Sequence, residues 1–299
     1  MKKHVFALCA LALCSASAYA ADPAPAPGAS PTSPNGTAPS SAEVARNPDA
    51  ALKALKEGNA RFYNNTARRP ELSAFSRRAQ IASQSPFAII LGCSDSRVPA
   101  EIVFDQGLGN LFISRVAGNV AIPGTVGSLE YGVAALKSNL IVVLGHESCG
   151  AVVAAMQPQE KTAGLPGGVK YILRHISPTV QSTPVLRDTK ARNREAIIAN
   201  VRSQVAVLKA NPTIAAAIKS GQIKVVGGIY EIGSGAVDFL ETDEELRLNE
   251  VEKRAVATQI RDNATVEADM ARMTANAKLA PNHAHDDHAH DGHDHAVIK

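Results

Sequence analysis

The chain has no tryptophan, and its aromatic residues are seven Phe and five Tyr in 299 positions. Bases and sugars are commonly held on stacked aromatic faces, so this shortage argues against either as the main ligand. Charge of one sign is also missing: 31 Lys and Arg stand against 28 Asp and Glu, a formal +3. Binding that rests on phosphate neutralisation needs a basic surface, so no nucleic-acid partner is expected. Cysteine is scarce, four residues with no Cys-x-x-Cys. That excludes a disulfide-rich scaffold and argues against a redox pair. No long apolar run follows the N-terminus, so no membrane span is expected.

What is present is a hydrophobic content of 45%, enough for a sizeable core. Residues 1–20 read as a signal peptide: Lys2 and Lys3, an apolar stretch from Val5 to Cys14, and Ala18-Tyr19-Ala20 as a cleavage site. A periplasmic location is the expectation. Removing Lys2 and Lys3 takes +3 to +1, and leaves Cys93 and Cys149 as the only cysteines. Residues 21–42, rich in Pro, Ala and Ser, read as a disordered linker. The main domain is assigned to 43–240, a helical C-terminal extension to 241–281, and a disordered His/Asp-rich tail to 282–299. That tail carries six of the nine His, a composition that binds divalent metals weakly.

Two short apolar runs organise the rest. Phe87–Leu91 leads into Cys93-Ser94-Asp95-Ser96-Arg97, and Leu140–Leu144 leads into Gly145-His146-Glu147-Ser148-Cys149-Gly150. Such runs read as buried strands, and open α/β sheets place their sites at the carboxyl ends of strands. Two thiolates and an imidazole form a zinc-type donor set, and three protein ligands leave one tetrahedral position open, as in catalytic sites. Two cysteines in an exported chain more often form a disulfide than a metal site, but a disulfide needs neither the Asp-x-Arg beside Cys93 nor the His three residues before Cys149. His175, the other His of the main domain, reads as surface or core.

Cys93-x-Asp95-x-Arg97 and His146-x-x-Cys149 resemble the signature of the β-class carbonic anhydrases, in a bacterial, exported form. The resemblance runs over roughly residues 45–240. It includes Gln84, the block Gly109–Asn119, and Ser128-Leu129-Glu130-Tyr131. It implies an α/β fold with a mostly parallel central sheet flanked by helices, and N-terminal helices packed on a partner subunit in a homodimer or homotetramer. It implies one Zn2+ per subunit on Cys93, His146 and Cys149, and reversible hydration of carbon dioxide to bicarbonate by zinc-bound hydroxide. Asp95 paired to Arg97 would leave the metal free for water; Asp95 swung onto the metal would close the site as a fourth ligand. Gln84, Phe112, Tyr131 and the Gly150 backbone would hold the substrate. Arg115-Val116-Ala117-Gly118-Asn119 departs from the plant-like Arg-Asn-Val-Ala-Asn, and the chain lacks the Trp that some members use for an inhibitory bicarbonate site. Two other readings stand beside this one: a carbon disulfide-type hydrolase on the same scaffold, and a non-catalytic zinc-binding or storage protein.

Pattern and caps predict further elements. Helices are expected from Asn47 to about Asn64, over 71–83, 125–138, 150–156, 169–177, 188–210 and 212–220, with strands at 111–114 and 223–230. A loop is expected over 157–169 and a turn at Gly233–Gly235. The helix after Cys149 is expected to stabilise that thiolate through its dipole.

Overall fold

The computed structural model describes residues 47–279 except Arg69 and Glu71, together with Val44. The signal peptide, the linker and the His/Asp-rich tail read from the sequence lie outside the described residues. Helix α1, Pro48–Tyr63, starts where Asn47 Oδ1 accepts the Asp49 and Ala50 amides at 2.8 and 3.3 Å, with Pro48 at the first helical position. Helix α2, Ala74–Ala79, is capped by Ser73 and is shorter than the expected 71–83. Strand β1 is Ala88–Gly92, followed by the single turn α3, Ala100–Val103. Then come β2, Leu111–Arg115, and α4, Pro123–Ala134, which starts two residues earlier than expected because Pro123 takes the first position.

Strand β3, Leu140–His146, delivers the chain to α5, Gly150–Ala155. The expected 157–169 loop contains a short helix, α6, Gln159–Thr162, and α7 runs Gly167–Val180. Helices α8, Thr189–Ala210, and α9, Pro212–Lys219, precede β4, Lys224–Tyr230. The turn at Gly235, with φ +81°, folds back a strand that the sequence reading lacked, β5, Val237–Leu240. Four residues are too few for a period to show. Helix α10, Glu250–Leu279, packs on α7 and α8 and buries Val256. Asn249 and Glu252 cap it reciprocally: Asn249 Oδ1 accepts the Glu252 amide and Glu252 Oε2 accepts the Asn249 amide.

The five strands form one sheet in the order β2-β1-β3-β4-β5, parallel except for β4–β5. Side chains alternate across it. Ile89, Leu91, Ile141 and Val143 face α4, α5, α7 and α8, through residues such as Leu129, Val152, Ile176 and Val201. Ala88, Ile90, Val142 and Leu144 face α1 and the α3 turn, through Leu52, Leu55, Val103 and Phe104. Both faces are covered, which is why β1 and β3 read as continuous apolar runs and not as alternating ones. A Cβ at Gly58 would lie 1.8 Å from the Phe104 carbonyl oxygen, so only glycine lets α1 press this closely on the α3 turn.

From β1 the chain passes to one side to make β2, then crosses to the other side to make β3. The strand order therefore reverses about β1, and the carboxyl ends of β1 and β3 flank the crevice where such sheets bind ligands.

Candidate metal centre

Gly92 ends β1 level with Leu144, so Cys93 follows the sheet edge just where β3 continues to His146. Glu147 donates its amide to the Tyr230 carbonyl of β4 at 2.9 Å. Ser148 then turns at φ +56°, and Cys149 becomes the N-cap of α5. The result is that Cys93 Sγ, a His146 ring nitrogen and Cys149 Sγ lie within 4.8 Å of one another. All three residues are buried, and both cysteines are free thiols, so the disulfide reading is overturned.

The donor set fits zinc on the chemistry of these atoms. His146 Nδ1 sits 2.9 Å from the Glu147 carbonyl oxygen, which can only accept, so Nδ1 carries the proton. That leaves the Nε2 lone pair directed at the cluster, and Nε2 is buried with no hydrogen-bond partner. A buried nitrogen without a partner, beside two buried sulfurs, is the arrangement a soft divalent ion satisfies.

Charge around the cluster follows from its neighbours. The Cys149 thiol donates to Cys93, and with the Gly118 amide and the Asp95 backbone assisting, these contacts outweigh burial and hold the Cys93 thiol well below its ordinary value. Cys149 is driven up by the same contact with Cys93, by burial and by the Cys93 charge. The amides of Ala151 and Val152 pull it down but do not prevail. The expected helix contribution at Cys149 is thus present but outweighed by the contact with Cys93 and by burial.

Asp95 is gripped by Arg97 at both oxygens, 2.9 Å from Nε to Oδ1 and 2.8 Å from Nη2 to Oδ2. The Arg97 amide adds a third bond at 3.0 Å. These bonds hold the Asp95 carboxyl far below the usual carboxylate range and raise Arg97. Asp95 Oδ2 is 4.0 Å from His146 Nε2, so the carboxylate borders the cluster while belonging to Arg97.

Two functional neighbours carried no assigned role in the sequence reading. Arg115, at the end of β2, donates to the Cys93 carbonyl at 2.8 Å and to the Asp95 carbonyl at 2.5 Å, and so fixes the backbone of the whole Cys93–Asp95 turn. Gly118, in a 3-10 turn over Ala117–Asn119, directs its amide at Cys93 Sγ at 3.4 Å. The one sequence signal for it was the Gly118-Asn119 pair, a dipeptide suited to positive φ; both residues adopt it, at +71° and +47°.

Of the proposed substrate residues, Gly150 adjoins the cluster as the residue after Cys149, while Gln84 and Tyr131 do not share a cavity with it. Phe112 of β2 and Tyr131 of α4 stack with ring centroids 5.9 Å apart. Tyr131 and Gln84 line one surface depression of about 570 Å3, whose lining includes none of Cys93, His146 and Cys149. Gly150 is exposed at the start of α5. His175 is buried in α7 against Tyr171, and burial, with Arg174 beside it, lowers it to about 4. No described helix is long and apolar enough to cross a membrane.

A family model described as carbonic anhydrase matches residues 88–237. Carbonic anhydrase 2 of Mycobacterium tuberculosis is 44% identical over 191 residues, which are 63% of this chain and 91% of that protein. The carbonic anhydrase of Mycolicibacterium smegmatis is 41% identical over 197 residues, 64% of this chain and 93% of that one. Among solved structures, a Coccomyxa β-carbonic anhydrase in complex with acetazolamide superposes with a TM-score of 0.52 at 26% identity, covering 70% of this chain and 97% of that one. One of two tetrameric β-carbonic anhydrases from Sordaria macrospora gives 0.50 at 27% identity, covering 65% and 98%.

Proposed function

Because the chain belongs to the β-class carbonic anhydrase family and is a zinc enzyme that hydrates carbon dioxide, we propose that Cys93, His146 and Cys149 are its metal ligands and that Asp95 and Arg97 are its catalytic dyad. The observation that carries this is the buried, unpartnered His146 Nε2 set between two free sulfurs. Cys93, His146 and Cys149 would hold the zinc, which would supply the Lewis acidity that brings the pKa of water from about 15.7 to roughly 7. The hydrolase and storage readings have no support from the relatives.

The chain's own groups do the rest. Asp95 is ionised and, with both oxygens tied to Arg97, can only accept hydrogen bonds at its edge toward the cluster. It would accept a hydrogen bond from the attacking oxygen, without taking its proton, and so turn that oxygen's lone pair toward the carbon of carbon dioxide. Arg97 keeps the carboxylate off the metal position, the open arrangement. Arg97 also reaches the Ser148 carbonyl at 3.5 Å, so the dyad is braced against the turn that carries Cys149.

Gln84, Phe112 and Tyr131 are read as substrate residues completed by a second subunit. What supports this is that Gln84 and Tyr131 line one surface depression, and that Phe112, in ring contact with Tyr131, lies on β2, which pairs with β1 alone among the described residues. Exposed Phe75 and Ile81 flank the same region in sequence. We read the protein as a homodimer or homotetramer on these grounds. Export to the periplasm is supported by the composition of residues 1–20.

Stopped-flow hydration of carbon dioxide from about pH 6.5 to 9, with zinc counted on the same sample, tests the assignment. Activity should track zinc content and disappear with zinc in Cys149→Ser. A Cys149→Ser protein that keeps zinc and activity would remove this residue from the ligand set.

A further inference from the structure

We propose that four buried amides, Asn200 and Gln204 of α8 with Gln259 and Asn263 of α10, are positioning residues for the metal centre: they clamp the Ala117–Ala121 turn so that the Gly118 amide stays aimed at Cys93 Sγ. The inference rests on the reading of Cys93 as a metal ligand.

The clamp is continuous. Asn200 Nδ2 donates to the Gly118 carbonyl at 2.9 Å. Gln204, one helical turn later, donates to Asn200 Oδ1 at 3.3 Å and accepts the Ala121 amide at 2.9 Å. Gln259 donates to Gln204 Oε1 at 2.9 Å and to the Ala121 carbonyl at 3.1 Å, and Asn263 donates to that same carbonyl at 2.8 Å. All four side chains are buried. Their spacing, Asn-x3-Gln on α8 and Gln-x3-Asn on α10, puts each pair on one helix face.

Buried amides in a helix interface cost desolvation unless they are hydrogen-bonded. Here they serve one short turn: the Gly118 carbonyl and both Ala121 backbone groups end on them. The turn has backbone hydrogen bonds of its own, from the Asn119 amide to the Val116 carbonyl at 2.9 Å and from the Ile122 amide to the Val120 carbonyl at 3.2 Å, but neither holds the Gly118 carbonyl or the Ala121 groups. Gly118 and Asn119 stand at positive φ. A turn left to relax would carry the Gly118 amide away from the sulfur, so the C-terminal helix acts on Cys93 through Gln204, Asn200 and Gly118. A hydrogen bond to a ligating sulfur tunes how strongly it holds its metal.

The test uses the full chain, loaded with zinc or with Co2+, whose sulfur-to-metal charge-transfer band reports the ligating thiolates. Zinc affinity is read by competition with a chromogenic chelator. Asn200→Leu should weaken zinc binding roughly 10- to 100-fold and shift the cobalt band, with circular dichroism unchanged. Gln259→Met, which keeps length and loses the amide, should do the same to a lesser degree, and Gln259→Glu, which keeps an acceptor but not the donor, should not rescue it. If Asn200→Leu does not fold, Gln259→Met alone decides. Variants that lose thermal stability as apo-protein but keep parental zinc affinity and an unshifted band would make the clamp merely structural and overturn the proposal. A parent protein without the sulfur band, or a Cys93→Ala protein that retains it in full, would instead overturn the ligand reading, and the proposal with it.

Discussion

Arg97 holds both carboxylate oxygens of Asp95, and the oxygen it holds through Nη2 is also the one that lies 4.0 Å from His146 Nε2. One guanidinium thus decides which way a carboxylate at the edge of the metal centre faces. Planar two-point bonding of this kind is strong in orientation as well as energy.

Breaking that relationship should separate chemistry from metal binding. Asp95→Asn is expected to lower kcat by about 100-fold or more while zinc content stays at one per chain. Arg97→Ala should also lower kcat, because the freed carboxylate can turn onto the metal. The Asp95 carboxyl is depressed, so its contribution is present above the ordinary carboxylate range and is lost as pH falls through its lowered value. Asp95 therefore stays ionised across the neutral range, and the midpoint of a pH–rate profile between about pH 6.5 and 9 should not move in Arg97→Lys by carboxylate titration.

Metal removal should be felt by the whole domain. Without an ion, His146 Nε2 is buried and unpartnered beside the two sulfurs. Stripping zinc with a chelator is expected to lower Tm by more than about 5 °C, with recovery on adding zinc back. Equal melting of the apo and loaded forms would count against these ligands.

His175 provides a stability effect remote from catalysis. Its folded value of about 4 lies below the ordinary 6.5. The unfolded chain therefore binds a proton that the folded one refuses between these values, so stability falls as pH drops from about 6.5 to 4 and levels off below. The total is at most about 3.4 kcal/mol. Urea titrations should show that slope flattened in His175→Gln, with carbon dioxide hydration at neutral pH unchanged.

The Gly118 turn should resist any side chain. A Cβ there would stand 2.5 Å from Ile176 Cδ1 on a backbone at φ +71°. Gly118→Ala is expected to cost about 1–3 kcal/mol in denaturant unfolding, from strain and overpacking together.

Self-association should follow from the apolar surface around α2 and the β2 edge. Phe75 and Ile81 are 82% and 83% exposed, and Leu72 and Ile102 more than half. Patches of this kind mark interfaces. Light scattering should give at least twice the mass of one chain as purified, and Phe75→Asp with Ile81→Asp should shift it toward one chain. A parent protein that stays monomeric at micromolar concentration would argue against a shared substrate pocket.

The amino-acid sequence by itself determined the order of elements and the chemistry of the site. Runs such as Ala88–Leu91 and Leu140–Leu144, short and rich in β-branched residues, read as strands covered on both faces, and the caps at Asn47 and Asp188 are local events that need no tertiary context. Cys93, Asp95, Arg97, His146 and Cys149 stood out because their residue types in that spacing leave few chemistries open. Short pieces were not legible: β5 and α6 span four residues each and exist through contacts with β4 and with the turns beside them, not through a period.

Only the tertiary structure decided what surrounds the metal position. The reversal of strand order about β1 brings residues 53 apart, Cys93 and His146, to one crevice. Which charge prevails at each sulfur depends on distances across that crevice, so a helix start beside Cys149 could not be weighed against a second sulfur in advance. The amides of α8 and α10 looked like ordinary polar positions in helices. Their partners are backbone groups 82 to 142 residues away, and a hydrogen bond of that range is invisible until the chain is folded.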